Sequence, residues 1–340
     1  MNRRRALAGV GVLALVTGGY LWYARSDSDP PSAPAPTEDA GQEERVAREA
    51  VRDRPNDAHA RARLARALRR LGRGREAEPE LMQAIRLGLP EGEAQREYVL
   101  LLAPQNWPDK FEGLFQRVAR DNPNDRELLR AIADSYATKG MWDRVEPLCT
   151  QLLALDPGHQ EWRFQRGVAR MRTAYHAKAA DDFRAVLTHD PKNYQARLFL
   201  AHSLLGDARM AEAERELRVC TKDRPNDVEP LIGLATCEFE RNNLSAAQEL
   251  LTRAAERAGN SPLVLQEQAT LYLRQQRTEL ALATLKRLVE LHPDHRQGHL
   301  QLAQVYLAAG NEAEARRHEQ IYQELDRKEE ARLAAQRGMR

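Results

Sequence analysis

Prolines recur along most of the 340-residue chain at an almost constant spacing. Successive members of the series lie 33 to 35 residues apart, and the last interval, 68 residues, equals two periods, with Gly259 near the missing mark. A fixed period of this length is typical of stacked repeats, in which each unit contacts only its neighbours. The series is Pro55, Pro90, Pro123, Pro157, Pro191, Pro225 and Pro293.

Each period is predicted to hold two amphipathic helices. In the unit 126–157, the first helix carries an apolar stripe spaced i, i+3, i+4 and i+7, and Gly140 then supplies a turn. A second apolar stripe follows and ends at Asp156 and Pro157, because proline cannot continue a helix. The first stripe consists of Leu129, Ile132, Ala133 and Tyr136.

The composition narrows the class of protein. Charged residues make up 30% of the chain, yet Lys+Arg (52) and Asp+Glu (50) almost cancel, which leaves a net charge of +2. Mixed signs suit solvated helix faces, whereas a nucleic-acid binder would need a strong basic excess. We therefore expect no nucleic-acid partner.

The pattern resembles the tetratricopeptide repeat, a 34-residue helix-turn-helix unit. A small residue recurs at position 8 of the unit, and the same holds at position 20 in all but one unit, where valine stands. The resemblance implies an all-α fold, a right-handed α-solenoid. Position 8 is occupied by Ala65, Ala133, Gly167, Ala201, Ala235, Ala269 and Ala303, and position 20 by Ala77, Val145, Ala179, Ala213, Ala247, Ala281 and Ala315.

The repeat array is expected to cover residues 43–325, with about seven full repeats and half-repeat ends. A charged capping helix or tail, 326–340, follows it, because a terminal repeat needs a polar outer face. One unit, 93–123, departs from the pattern, since Pro104 and Pro108 interrupt helical continuity. We expect 103–109 to form an enlarged loop between its two helices.

The N-terminal segment predicts a membrane anchor. A basic tail, 1–5, is followed by an uncharged apolar run whose far end holds Tyr20, Trp22 and Tyr23. At 1.5 Å per residue this run just spans a hydrocarbon core of about 30 Å, with the aromatics at the headgroup level. We therefore predict that a single transmembrane signal-anchor, 6–24, precedes the solenoid. A secreted protein with a cleaved signal is the alternative, although Trp22 would occupy a slot that needs a small residue.

Charge asymmetry around this run predicts its orientation. Three arginines precede it, while four of the five charged residues in the Pro/Ser/Asp-rich linker, 25–42, that follows it are acidic. The positive-inside rule then places the N-terminus in the cytoplasm and the repeat body outside it. The expected localisation is the bacterial inner (cytoplasmic) membrane.

The sequence contains none of the common catalytic, metal-binding or nucleotide-binding motifs. There is no H-E-x-x-H, C-x-x-C, G-x-G-x-x-G or G-x-S-x-G pattern, so we predict neither an enzyme nor a bound cofactor. His295 and His299, spaced i and i+4, could serve as metal ligands, but the pattern lacks a third ligand. We therefore interpret them as polar loop and helix-start residues and predict no metal.

A partner-binding groove is what the family resemblance implies. In tetratricopeptide-repeat proteins the first helices of successive units line a concave surface that holds a peptide or a helix. Asparagine is absent from position 6, so a clamp for a C-terminal carboxylate is not expected. The candidate groove residues are Arg130, Asp134, Phe164, Met171, Arg172, His202, Phe239, Glu240 and Arg274.

The resemblance therefore implies a membrane-tethered scaffold or assembly factor that binds a protein or peptide partner. A regulatory or accessory subunit of an envelope enzyme complex, of the polysaccharide-secretion or cytochrome-maturation type, is the competing interpretation. The sequence does not separate these two roles.

Overall fold

The computed structural model describes residues 38–105 and 107–337. Within them the chain forms seventeen α-helices and one short 3₁₀ helix, Asp109–Phe111. The first nine helices are α1 Glu38–Asp53, α2 Ala58–Arg70, α3 Gly74–Arg86, α4 Glu91–Leu102, α5 Glu112–Asp121, α6 Arg126–Thr138, α7 Trp142–Leu155, α8 Gln160–Arg172 and α9 His176–His189. The remaining eight are α10 Tyr194–Gly206, α11 Met210–Asp223, α12 Glu229–Glu240, α13 Leu244–Ala258, α14 Pro262–Arg274, α15 Thr278–Leu291, α16 Arg296–Ala308 and α17 Glu312–Arg337.

The described chain divides into two compact units near Ala169. We call residues 38–169 the N-unit and residues 170–335 the C-unit. In both, helices alternate as the first and second members of hairpins, and sequential helices pack on one another. The predicted all-α solenoid of helical hairpins is therefore confirmed.

A turn with one left-handed residue joins the first helix of most hairpins to the second. These residues have φ between 57° and 77°, and they lie 34 residues apart or at twice that interval. They repeat more regularly than the prolines, because the hairpin needs a sharp reversal at the same point in every unit. The residues are Gly72, Gly140, Ala174, Ala208, Asn242, Gln276 and Gly310.

Small residues are buried where the two helices of a hairpin touch. The residues at repeat positions 8 and 20 are buried throughout the array, and many of the alanines among them have no exposed surface. A side chain no larger than alanine or valine lets two helices approach closely, so larger apolar residues around them close the core.

In the irregular unit, 93–123, an aromatic side chain from the loop fills part of the core. Residues 103–105 and 107–108 connect α4 to the 3₁₀ helix, as the two prolines predicted. Trp107 turns inward, stacks on Phe115 with ring centroids 4.4 Å apart, and donates its indole N–H to Ser135 Oγ. The Lys139 ammonium lies 3.8 Å from the centroid of the Trp107 ring. The loop therefore supplies core volume that the interrupted helices do not.

Two predicted boundaries differ from the observed helices. Helix α1 begins at Glu38, so residues 38–42 are helical and not the end of the linker. Helix α17 continues to Arg337 without a break at 326, since no glycine or proline interrupts 312–337. The array and the predicted capping segment therefore share one helix.

No helix in the described part of the chain is both long and apolar enough to cross a bilayer. The predicted basic tail, 1–5, and the predicted transmembrane segment, 6–24, lie outside the described residues.

The left-handed turn at Gly72 generates a prediction with a built-in control. Gly72 has φ +73°, Gly92 lies within helix α4, and a Cβ added at either would meet nothing within 4 Å. Gly72→Ala is expected to lower the free energy of unfolding by about 1 kcal/mol, because L side chains are strained at positive φ. Gly92→Ala should instead stabilise by up to about 1 kcal/mol through helix propensity. Urea unfolding of the two variants measures this, and equal effects would refute the turn geometry.

Candidate functional site

The core contacts of α14 show which of its sides faces second helices. These are α13, from the preceding hairpin, and α15, from its own hairpin. Val264 packs against Ala254 of α13, and Leu265 and Ala269 pack against Leu285 of α15. The side chains on the opposite side of α14 therefore point away from both second helices. We call this side of α10, α12, α14 and α16 the first-helix face of the C-unit; on α14 it carries Gln266, Glu267, Thr270 and Arg274.

Three of the predicted groove residues lie in the N-unit. The Arg130 guanidinium is exposed and lies 3.6 Å from Asp134 Oδ2 and 3.6 Å from a carboxylate oxygen of Glu161. Asp134 accepts a hydrogen bond from Gln165 Nε2 at 3.1 Å, which links α6 to α8. Burial is the main cause that raises the pKa of Asp134 above its usual range. Phe164, on α8, is half-buried.

The other six predicted residues lie in the C-unit, and the two apolar ones among them are buried. Met171 is buried. Phe239 packs in a core cluster with Ala235, Leu251 and Leu271, so its ring stabilises the hairpin stack and is not on the accessible surface. A residue at repeat position 12 can face either the groove or the adjacent hairpin. Phe239, at this position, packs against the adjacent hairpin.

His202 and Arg172 belong to a buried polar group near the start of α12. His202 Nε2 lies 2.8 Å from Glu229 Oε1, and both side chains are more than nine-tenths buried. Burial lowers the pKa of the half-buried Arg172, while the charge of Glu229 opposes that shift. Sequence reasoning had not singled out Glu229; a carboxylate at repeat position 2 beside a histidine at position 9 was the available signal.

Glu240 and Arg274 form an ion pair at the C-terminal ends of α12 and α14. Arg274 Nη1 donates to the backbone carbonyl of Phe239 at 2.9 Å, and its guanidinium lies 5.0 Å from the Phe239 ring centroid. Its Nη2 lies 3.9 Å from an exposed carboxylate, that of Glu240. The structure therefore brings these two predicted residues together, with Phe239 beneath them.

Polar side chains are unusually frequent in the interior of the first-helix face. Besides Glu229, four residues of the face that carry hydrogen-bonding groups are buried, and Glu267 beside them is half-buried. Apolar residues at these points would pack without needing a partner, so their polar groups are candidates for recognition. The four buried residues are His202, Gln266, Thr270 and Gln301.

The histidines near Pro293 do not converge as metal ligands. Among the described residues no group of three or more His, Cys, Asp or Glu side chains is arranged to hold a metal ion. His295 Nδ1 instead accepts from the backbone N–H of Gly298 at 3.0 Å, where it caps α16. His299 Nδ1 lies 2.9 Å from Nδ1 of His318 on α17, and its Nε2 lies 3.1 Å from the Pro293 carbonyl.

This arrangement fixes the protons of the histidine pair. A carbonyl oxygen only accepts, so His299 Nε2 carries the proton there. In neutral His299 the Nδ1 atom then accepts the Nδ1–H of His318. Burial lowers the pKa of both side chains, and the proximity of His299 lowers that of His318 further. The pair is therefore suited to hold α17 on α16 while both rings are neutral.

Stability should consequently fall on acidification. The folded-state pKa values lie below the usual histidine value of about 6.5, so the unfolded chain binds more protons in that window and the free energy of unfolding drops as pH falls through it. We expect His318→Gln to weaken this pH dependence, and the exposed His189→Gln to leave it unchanged. Urea midpoints at pH 7.5 and 5.5 measure the slope, and identical slopes in all three proteins would contradict the role of the pair.

Comparison with known proteins identifies the repeats. Family models described as tetratricopeptide repeat match residues 176–229 and 267–336. These matches confirm tetratricopeptide repeats in the chain, as the sequence pattern indicated. Among curated proteins none matches significantly.

Solved structures with similar folds are distant in sequence. The Cut9–Hcn1 hetero-tetramer of APC/C aligns over 81% of this chain and 55% of its own, with 12% identity and a TM-score of 0.50. MamA from Desulfovibrio magneticus RS-1 aligns over 48% of this chain and 93% of its own, with 18% identity and a TM-score of 0.43. YrrB, a TPR protein with an unusual peptide-binding site, aligns over 54% and 95%, with 18% identity and a TM-score of 0.40. At these identities the likeness concerns the fold alone.

Proposed function

We propose that this protein is a membrane-tethered interaction scaffold that holds partner proteins on its first-helix faces. The observation that supports it most directly is the polar, partly accessible first-helix face of the C-unit, which no second helix of the stack covers. Tetratricopeptide repeats suit protein–protein interaction because stacked hairpins present a long surface and need no single deep pocket.

The tether rests on the N-terminal sequence. The uncharged run at 6–24, the arginines before it and the acidic linker after it favour a signal-anchor with the repeat body outside the cytoplasm. We propose the bacterial inner membrane as its location. A secreted form with a cleaved signal is the alternative, because Ala24 offers a small residue at the end of the run.

Binding without catalysis is part of the same proposal. The sequence supplies no catalytic motif. His295 caps a helix, His299 contacts His318 on the next helix, and Glu229 and Glu240 lie beside His202 and Arg274. An accessory or regulatory subunit of an envelope enzyme complex, of the polysaccharide-secretion or cytochrome-maturation type, fits the same surface, since such a subunit would also act by holding a partner.

Site-specific photo-crosslinking tests the scaffold role. A photo-reactive amino acid placed at Glu240 or Gln304, both exposed on first helices, should crosslink a partner protein in native membranes. The same group at Glu256, exposed on the second helix α13, is the matched control and should give much less adduct. Equal yields at all three positions, or none, would reject the first-helix face as the binding surface.

A topology experiment tests the tether separately. A reporter that is active only outside the cytoplasm, fused after Arg340, should be active in the full-length chain. Removal of residues 1–24 should abolish that activity, because the export signal is lost with them. Activity of a cytoplasm-specific reporter at the same site would overturn the proposed orientation.

A further inference from the structure

The first-helix face of the C-unit contains hydrogen-bond acceptors that its own helices leave unsatisfied. Gln301 is more than nine-tenths buried, and its Oε1 atom has no hydrogen-bond partner within the described protein. A buried amide oxygen without a donor is destabilising, so such groups in native proteins usually meet water or a ligand. This atom indicates that the face is incomplete without an external donor.

The register between neighbouring first helices explains the missing donor. In the N-unit, Gln165 at repeat position 6 donates to Asp134 at position 9 of the preceding first helix. Gln301 and Thr270 occupy the same two repeat positions, as do Glu267 and Thr236, so the same register predicts that each acceptor faces the threonine of the preceding first helix. Both threonine hydroxyls, however, donate to their own helix, Thr270 to the Gln266 carbonyl at 3.1 Å and Thr236 to the Ile232 carbonyl at 3.2 Å. Neither hydroxyl proton is therefore available to the acceptor opposite it.

Glu267 is a carboxylate of the first-helix face that solvent still reaches. Its side chain is only half-buried. Burial nevertheless raises its pKa to about 7, and the opposing charge of Arg274 does not offset that effect. Glu267 lies beside the buried Gln266 and Thr270, which restrict water around it, while part of its own side chain stays open to solvent. A cation from a bound partner would therefore stabilise the ionised form of this carboxylate.

Charge balance on this face favours the same conclusion. Three glutamates lie on it, in α12 and α14. Glu229 is paired with His202 and interacts with Arg172, and Glu240 lies 3.9 Å from Arg274. For Glu267 the acting cation is Arg274, two turns away on the same helix and already bonded to the Phe239 carbonyl. Glu267 is thus the carboxylate of the three with the weakest compensation.

Building on the proposed function, we infer that this face holds an extended segment of a partner protein by one Lys or Arg side chain at Glu267 and one N–H donor at Gln301. Adjacent first helices are about 8–10 Å apart, and an extended chain advances about 3.3 Å per residue. The donor should therefore lie about three residues from the cation. The bound segment is extended and carries a basic residue. An acidic or uncharged segment would leave the negative charge of Glu267 without a partner cation.

Selection from a random dodecapeptide display library on the full-length protein in detergent tests this inference. We expect enrichment of Lys or Arg at one aligned position for the wild-type protein and for Glu256→Gln, which removes the same charge from the outer side of α13. Glu267→Gln keeps the shape of the side chain and one acceptor oxygen and removes a desolvated charge, so it should fold normally. Its selected peptides should lack the basic position.

A synthetic peptide from the wild-type selection provides the quantitative arm. Replacing its basic residue with Gln should weaken binding to the wild-type protein about tenfold and to Glu267→Gln hardly at all, which is the coupling expected of two groups in direct contact. N-methylation of the amide about three residues away should weaken binding to the wild-type protein but not to Gln301→Met.

Several outcomes would overturn the inference: no enriched peptide, enriched peptides without a basic position, or the same basic position selected by Glu267→Gln. Photo-crosslinking at Glu240 and Gln304 in native membranes remains an independent measure of the proposed function. Crosslinks there, combined with a failed selection, would reject the cation site and keep the scaffold role.

Discussion

Close contact between the two helices of each hairpin is the constraint on which the rest of the structure depends. It is made at buried alanines such as Ala179, Ala213, Ala247 and Ala281, whose small side chains let the helix backbones approach. Because each hairpin then lacks the volume to bury its remaining apolar surface alone, neighbouring hairpins must share a core. The shared cores, for example Ala235, Phe239 and Leu251 with Leu271 of the next hairpin, follow directly.

The same constraint produces the candidate binding surface. Once a first helix is packed against its own second helix and against that of the preceding hairpin, one side of it has no second helix to contact. On α14 this side carries Gln266, Glu267 and Thr270, which are polar although two of them are buried. Together with Gln301 on α16, whose buried Oε1 has no donor within the described protein, they give the face restricted access to water and an unfulfilled hydrogen-bonding capacity. That combination favours binding an external segment, because donors from water are then poorly able to replace donors from a partner.

Much of the fold could be predicted from the sequence, since the 34-residue period and the small residues at positions 8 and 20 are local signals. The left-handed turn was harder to predict. Ala174, Ala208 and Gln276 adopt positive φ without a glycine, because tertiary packing imposes the reversal. Trp107 is a similar case: its loop was predicted from two prolines, but its stacking on Phe115 depends on a long-range contact that no local pattern encodes. Boundaries were also imprecise, as the helical residues 38–42 show.

For the candidate site, sequence reasoning predicted residues on the first helices, and the structure shows which of their side chains are buried. Phe239 was a reasonable groove candidate at position 12, but that position also faces the next hairpin, and an aromatic ring is more stable in that contact than in solvent. Glu267 and Gln301 were visible only as departures from asparagine at position 6. Their significance depends on what Thr236 and Thr270 do with their hydroxyl protons, and a side-chain bond to the helix's own carbonyl becomes evident only in three dimensions. The recognition chemistry of this repeat array thus resides in the relation between consecutive hairpins, one period apart in sequence, and not in any motif within one of them.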